Sequence, residues 1–312
     1  MGTKSASSFI YTYIIYMRKI VEHIIGIIVV ILTAVGCMSE TMTTKIPVNI
    51  GFRPVIGHDT RADESIPFPQ DRSFSVWAVN NYDQSIYINN ETIICNGGEW
   101  KSKNVWPEES LRFCAFYPQD VPHSYSSEKG VMIDEYSTAD GGRDLLVASI
   151  VAGGDEATDS LVNLRFDHIL SRIEFRMQHS LSSDITVMLQ KVELAGFALQ
   201  GSYNSTDYLK WNKTSENETY VVFEDEDGVQ LSTQTQYIGN DFYTIPQLCK
   251  AEIIIKYKIR YGNNGWVTDQ IESTGNIRSE WGPGKQYTYT LNLTETKLTC
   301  TTGISNWNNR EE

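Results

Sequence analysis

Apolar and polar positions alternate along most of the chain after residue 37, and no window of a dozen residues holds a stripe of period 3.6. In residues 251–261, Ala251, Ile253, Ile255, Tyr257, Ile259 and Tyr261 fall on one face and Glu252, Lys256, Lys258 and Arg260 on the other. That pattern predicts a strand with one buried and one wet side. The same alternation predicts strands over 73–80, 111–117, 169–177 and 286–293, and over 45–56, where Val48, Ile50 and Phe52 take alternate positions. Residues 144–152 contain Leu145-Leu146-Val147-Ala148 without a polar break, which predicts a central strand covered on both faces. Turn signals separate these runs at Asn96-Gly97-Gly98, Gly141-Gly142, Asp227-Gly228, Asn263-Asn264-Gly265 and Gly282-Pro283-Gly284. The expectation is an all-β chain of packed antiparallel sheets, its last strand over 298–304 and a short polar tail over 305–312.

With 312 residues the chain exceeds the usual size of one core, and the polar, glycine-bearing stretch 153–159 offers a division. The parts are then 37–158 and 159–312, each long enough for a seven-stranded sandwich. No short-period repeat is present, which excludes solenoids and propellers. Charged residues at 21% and hydrophobic residues at 41% exclude disorder for the bulk. A net charge of −13 argues against nucleic acid as a partner, because phosphate binding depends on clustered Lys and Arg. The acidic stretch 216–228 lacks the ligand order of a calcium loop and reads as a solvated hairpin tip.

The front end changes the picture of location. An apolar run over 20–34, too short to span a bilayer comfortably, follows Arg18-Lys19, so residues 1–36 read as a signal peptide with its true start at Met17. The run ends Leu32-Thr33-Ala34-Val35-Gly36-Cys37, which resembles a bacterial lipobox with Cys37 as the lipidated residue. A secretory signal cut elsewhere and an uncleaved anchor helix are the alternatives. Removing 1–36 leaves 23 basic and 38 acidic residues, a net of −15. Four further cysteines, Cys95, Cys114, Cys249 and Cys300, are read as buried thiols or as disulfides. None has zinc-ligand spacing.

Several segments together resemble the fimbrillin family of type V pili, including its minor-fimbrium branch. They are Thr60-Arg61-Ala62, Phe74-Ser75-Val76-Trp77-Ala78, Arg143-Asp144-Leu145-Leu146-Val147-Ala148, Phe166-Asp167-His168-Ile169-Leu170-Ser171-Arg172-Ile173, residues 281–291, and finally Ile304 and Trp307. The resemblance implies two transthyretin-like Greek-key β-sandwich domains in tandem, export to the outer membrane as a lipoprotein, and assembly into adhesive surface filaments. It also implies partners: other fimbrial subunits by donor-strand insertion, the outer membrane through the Cys37 lipid, and a surface receptor or glycan.

In that family, cleavage after an arginine removes the first strand, and a neighbour's strand takes its place. Here the removable strand is 45–56 and the cut falls after Arg61, before Ala62, since Arg53 precedes Pro54. The alternative is that Arg61 is an ordinary loop cation and the strand stays in place. Exchange is taken to require a strand only borrowed by its own sandwich, so a mid-sheet position with hydrogen-bonded neighbours on both flanks would overturn the pilus reading. The short polar tail favours a tip or accessory subunit that receives a strand without donating one.

No nucleophile elbow, metal-binding helix or phosphate loop accompanies the histidines, so an enzyme is not expected and no cofactor is implied. His168 reads as a structural histidine bonded to the backbone. Trp100, Trp106, Tyr125, Trp211, Trp266 and Trp281 lie near turn signals, where they serve as core packing or as a sugar-stacking platform. Five Asn-x-Thr triplets start at Asn90, Asn204, Asn212, Asn217 and Asn292, and are discounted in a bacterial lipoprotein. Asp159-Ser160-Leu161 resembles a bacterial O-glycosylation acceptor at Ser160. Two alternatives to a pilus subunit stay open: a surface glycan-binding lipoprotein that does not polymerise, and a carbohydrate-active enzyme.

Overall fold

The computed structural model describes residues 16–21, 47–57, 65–154, 161–207, 210–267 and 269–307. The chain forms two compact units, Met1–Ile46 and Pro47–Glu312. In the first, residues 16–21 are helical, and among the described residues no helix is long and apolar enough to cross a membrane. The second unit is built of strands.

Its first part contains β1 (Asn49–Ile56), β2 (Ile66–Pro67), β3 (Ser73–Asn80), β4 (Ile86–Asn96), β5 (Glu99–Val105), β6 (Ser110–Tyr117), β7 (Ser124–Ser126), β8 (Gly130–Ser137), β9 (Leu146–Gly153) and β10 (Val162–His168). Eight of these follow the order β10-β9-β6-β3-β4-β5-β1-β2, and a parallel pairing of β10 with β1 closes the sheet on itself. Inside lie Phe74, Val76 and Ala78 of β3, Leu111, Phe113 and Ala115 of β6, and Leu164 and Phe166 of β10, the faces that alternation selects. β10 follows the stretch 153–159 yet pairs with β9 and β1, so this sheet runs past the division read from the sequence, as far as His168.

The second part contains β11 (Ser171–His179), β12 (Ile185–Phe197), β13 (Gln200–Asn204), β14 (Trp211–Lys213), β15 (Glu218–Leu231), β16 (Gln236–Tyr237), β17 (Phe242–Thr244), β18 (Gln247–Tyr261), β19 (Ile271–Trp281), β20 (Lys285–Leu293) and β21 (Leu298–Asn306). One sheet has the order β16-β11-β20-β21, with β17 also on β11; the other is β15-β12-β18-β19. They bury a shared core in which Ile173, Phe175, Tyr289 and Leu291 share one cluster with Val187, Leu189, Ile253 and Ile255. The chain is all-β, with sheets packed as β-sandwiches.

A third core joins the two parts. The sheet β14-β13-β8-β7 takes two strands from each part. Its cluster unites Trp77, Cys114 and Phe116 with Val131, Ile133, Tyr203, Trp211, Ile245 and Trp307. This explains why β3 and β6 depart from simple alternation: each serves one core on each face. Leu145 likewise faces the third core while Leu146 and Ala148 face the first, in accord with the unbroken apolar run there.

One acidic element differs from expectation. Residues 224–228 belong to the edge strand β15, which continues to Leu231, and 225–228 form a bulge opposite Gln190 instead of a hairpin tip. Gly228 adopts φ +80 there, close enough to the Leu189 carbonyl that a side chain would collide with it.

Candidate functional site

The segment that the sequence marks for exchange is held on both flanks. β5 pairs antiparallel with it at Asn49, Gly51 and Phe52, and β10 pairs parallel with it from Phe52 to Ile56. β2 takes over the β5 flank at Val55 and Ile56. Pro54 sits where that flank passes from β5 to β2, so its missing N–H interrupts no pair with either. The expectation of a loosely borrowed strand is therefore overturned.

Side chains reinforce the backbone. Ile50, Phe52 and Ile56 are buried, with Phe52 edge-on to Phe74 at 6.3 Å and to Phe113 at 5.8 Å between centroids. Val48, expected inside, is 41% exposed, because the strand begins only at Asn49. Burying the three inner side chains contributes about 5–9 kcal/mol, comparable with the whole stability of a typical domain, about 5–15 kcal/mol. An intact chain will not release β1 spontaneously. Taken out as a piece, however, β1 leaves a slot between β5 and β10 with open hydrogen-bonding groups on both walls and three apolar pockets in its floor.

The link from β1 to β2 contains Arg61 and Ala62, which lie outside the described residues, as do Cys37 and Ser160. Arg53 lies inside β1, held in the parallel ladder opposite Asn163. A protease needs an extended, accessible chain, so this pairing adds to the hindrance from Pro54.

The other end of the chain is anchored differently. β21 pairs with β20 over nine residue pairs, from Lys285↔Asn306 to Leu293↔Leu298, and stands at the edge of its sheet. Beyond it Trp307 is 1% exposed, so the tail is less polar in effect than its composition suggests. The Trp307 ring stacks on His168 at 3.9 Å and on Tyr243 at 5.0 Å. His168 Nδ1 lies 2.7 Å from Asp144 Oδ1, a side-chain partner. The last strand is thus tied to the junction of the two parts. An isolated tryptophan in a polar tail is the signal for Trp307; Asp144 and His168 stand in separate motifs that carry no sign of their contact.

Most aromatics near turns are packing residues. Trp100, Trp211 and Trp281 are buried, and the indole N–H of Trp211 donates to the Ile169 carbonyl at 2.7 Å while that of Trp281 donates to the Tyr289 hydroxyl at 2.8 Å. Trp106 and Tyr125 pack against the cores, and Trp266 is 36% exposed under the Arg260 guanidinium. The four described cysteines are free thiols. Among the described residues no three His, Cys, Asp or Glu side chains gather as a metal site.

Comparisons with known proteins agree with this architecture. The sequence model of the fimbrillin-like family matches residues 60–307. The chain belongs to the fimbrillin-like family. Its fold resembles a fimbrial protein from Bacteroides vulgatus, with a TM-score of 0.62 at 13% identity, covering 83% of this chain and 99% of that one. It also resembles a protein from Bacteroides ovatus described as a cell adhesion protein, with a TM-score of 0.54 at 17% identity, covering 84% and 98%. A protein of the same description from Parabacteroides distasonis gives a TM-score of 0.55 at 9% identity, covering 86% and 99%. No curated protein matches the sequence. Membership in the family implies a place at the cell surface and a part in adhesion among fimbrial proteins.

Proposed function

We propose that this chain is a non-enzymatic surface lipoprotein, anchored in the outer membrane through Cys37, that acts as a tip or accessory subunit of an adhesive filament. It accepts a neighbour's strand in the place of β1 and keeps its own last strand. Its modules divide after His168, where the first sheet ends.

The contrast between the two terminal strands carries the reading. β1 ends in a link, residues 58–64, where one cut separates it covalently from the rest, whereas β21 is fixed by its ladder and by Trp307. The two-flank pairing of β1 speaks against addition to a free edge at this place. What remains is replacement: the cut strand leaves, and an incoming strand restores both ladders and refills the pockets of Ile50, Phe52 and Ile56. Because Cys37 precedes β1, the same cut leaves the body attached to its lipid only through the contacts of β1. Anchoring and exchange are then alternative fates of one strand.

Treatment of the full chain with an arginine-specific protease tests the reading. The expected result is one cut after Arg61, a β1 fragment that stays bound, and its displacement when a synthetic copy of residues 47–57 is added in excess. Resistance to cleavage, or a cleaved chain that never exchanges its fragment, sinks replacement. The N-terminal residue of the protein on cells decides processing: Ala62 supports it, and Cys37 alone indicates a permanently anchored adhesin.

A further inference from the structure

The geometry points to a saccharide site that strand exchange does not require. β4 and β5 form a hairpin, yet they pair only at Cys95↔Trp100 and Asn96↔Glu99, next to the turn. Beyond those pairs the strands splay, and side chains span the gap where a ladder would otherwise run. The Glu91 carboxylate accepts from Ser102 Oγ at 2.5 Å, from the Lys103 amide at 2.9 Å and from Asn104 Nδ2 at 2.8 Å. Farther out, the Tyr87 hydroxyl donates to the Val105 carbonyl at 2.8 Å. Between these struts lies a cleft of about 540 Å³, within the size range of small-ligand sites.

The lining selects the ligand class. Asn89 and Asn90 are exposed on the wall, and their amides form no hydrogen bond among the described residues. Each offers two N–H donors and one carbonyl acceptor. Asn90 adopts φ +50 where the register of β4 shifts against β3, which sets consecutive amides on the cleft wall instead of alternating them across the strand. The Tyr87 ring, fixed at its hydroxyl and 38% exposed, provides an oriented apolar surface. The Glu91 charge is committed to the protein's own donors, and it offsets the single ammonium of Lys103. An apolar ligand would leave the amides unpaired, and an anion meets Glu91 inside a chain of net charge −13. A neutral polyol ring satisfies both requirements: its hydroxyls pair with the amides and its C–H face lies on Tyr87. The volume fits about one or two such rings.

Titration calorimetry on the full chain in detergent, with cellobiose, N,N′-diacetylchitobiose and sialyllactose as probes, tests the site. At least one of the two neutral disaccharides should bind in the millimolar range, and Tyr87→Ala should weaken it by about tenfold. Because Tyr87 also braces β5, Asn89→Ala serves as the second variant: its side chain supports nothing, so it should keep the unfolding temperature and still weaken binding by about threefold. No neutral sugar bound at about 10 mM, binding that is equal in wild type and both variants, or binding of sialyllactose alone would each overturn the assignment. β1 is untouched in all of these experiments, so their failure leaves strand replacement standing, and the reverse also holds.

Discussion

The first and last strands of the folded unit are held by opposite strategies. β1 has a partner on each flank and sends Ile50, Phe52 and Ile56 into the first core, but its connection onward is a polar segment. Among the described residues β21 has a strand partner on one flank only, and Thr301 through Ser305 are exposed in succession, with Ile304 63% exposed. Deep burial makes β1 indispensable in place, so its loss must be compensated by another strand of like pattern. β21 contributes little burial along its length and is secured at its end by Trp307. A strand suited to replacement is therefore one whose site is demanding and whose covalent link is weak, not one that is merely loose.

That contrast is broken most directly by truncating the anchors. Phe52→Ala should destabilise the first core by about 3–5 kcal/mol, read from denaturant unfolding. A synthetic strand carrying the same change should fail to displace the cut β1 fragment. Trp307→Ala removes a fully buried ring from between His168 and Tyr243 and should cost about 3 kcal/mol. The loss should also raise hydrogen exchange throughout β21, because its terminal tie is gone. If Trp307→Ala leaves exchange in β21 unchanged, the ladder to β20 holds the strand by itself. Ile304→Ala, on the exposed stretch of the same strand, should change stability by less than about 0.5 kcal/mol.

Alternation made β1, β18 and β20 readable because each has one buried face, and family motifs placed the ends of the chain. The elements that escaped are those whose surroundings come from distant sequence. Phe116 and Cys114 are buried on the face that alternation assigns to solvent, because the sheet shared by both parts packs there. The polar stretch 153–159 stands between β10 and the rest of its sheet, and nothing in residues 162–168 records that their neighbours are β1 and β9. The two-flank hold on β1 is likewise a property of ring closure, which local pattern does not express. Of the candidate site, the strand and its apolar positions were legible. The cleft between β4 and β5 was not, because it arises where a ladder is missing.

A smaller effect than that of truncating either anchor concerns how firmly β21 is seated. Burial pushes the Cys300 thiol from 9 up to about 11, and burial pushes its core neighbours Cys249 and Tyr289 each up to about 12. A thiol that ionises at 9 when unfolded and near 11 when folded gives the unfolded state fewer bound protons between those values. Its contribution is fully present below pH 9 and is lost as pH rises through 11. Solvent reaches part of β21, so the share due to Cys300 should stay below about 1 kcal/mol. Thermal unfolding followed from pH 8 to 11 should show Tm falling with pH, and the fall should be shallower in Cys300→Ala, which retains the slopes from Cys249 and Tyr289. Identical slopes would mean that Cys300 meets water in the folded state as freely as in the unfolded one. β21 would then be the loosely held terminal strand, and the chain would be equipped to donate as well as to receive.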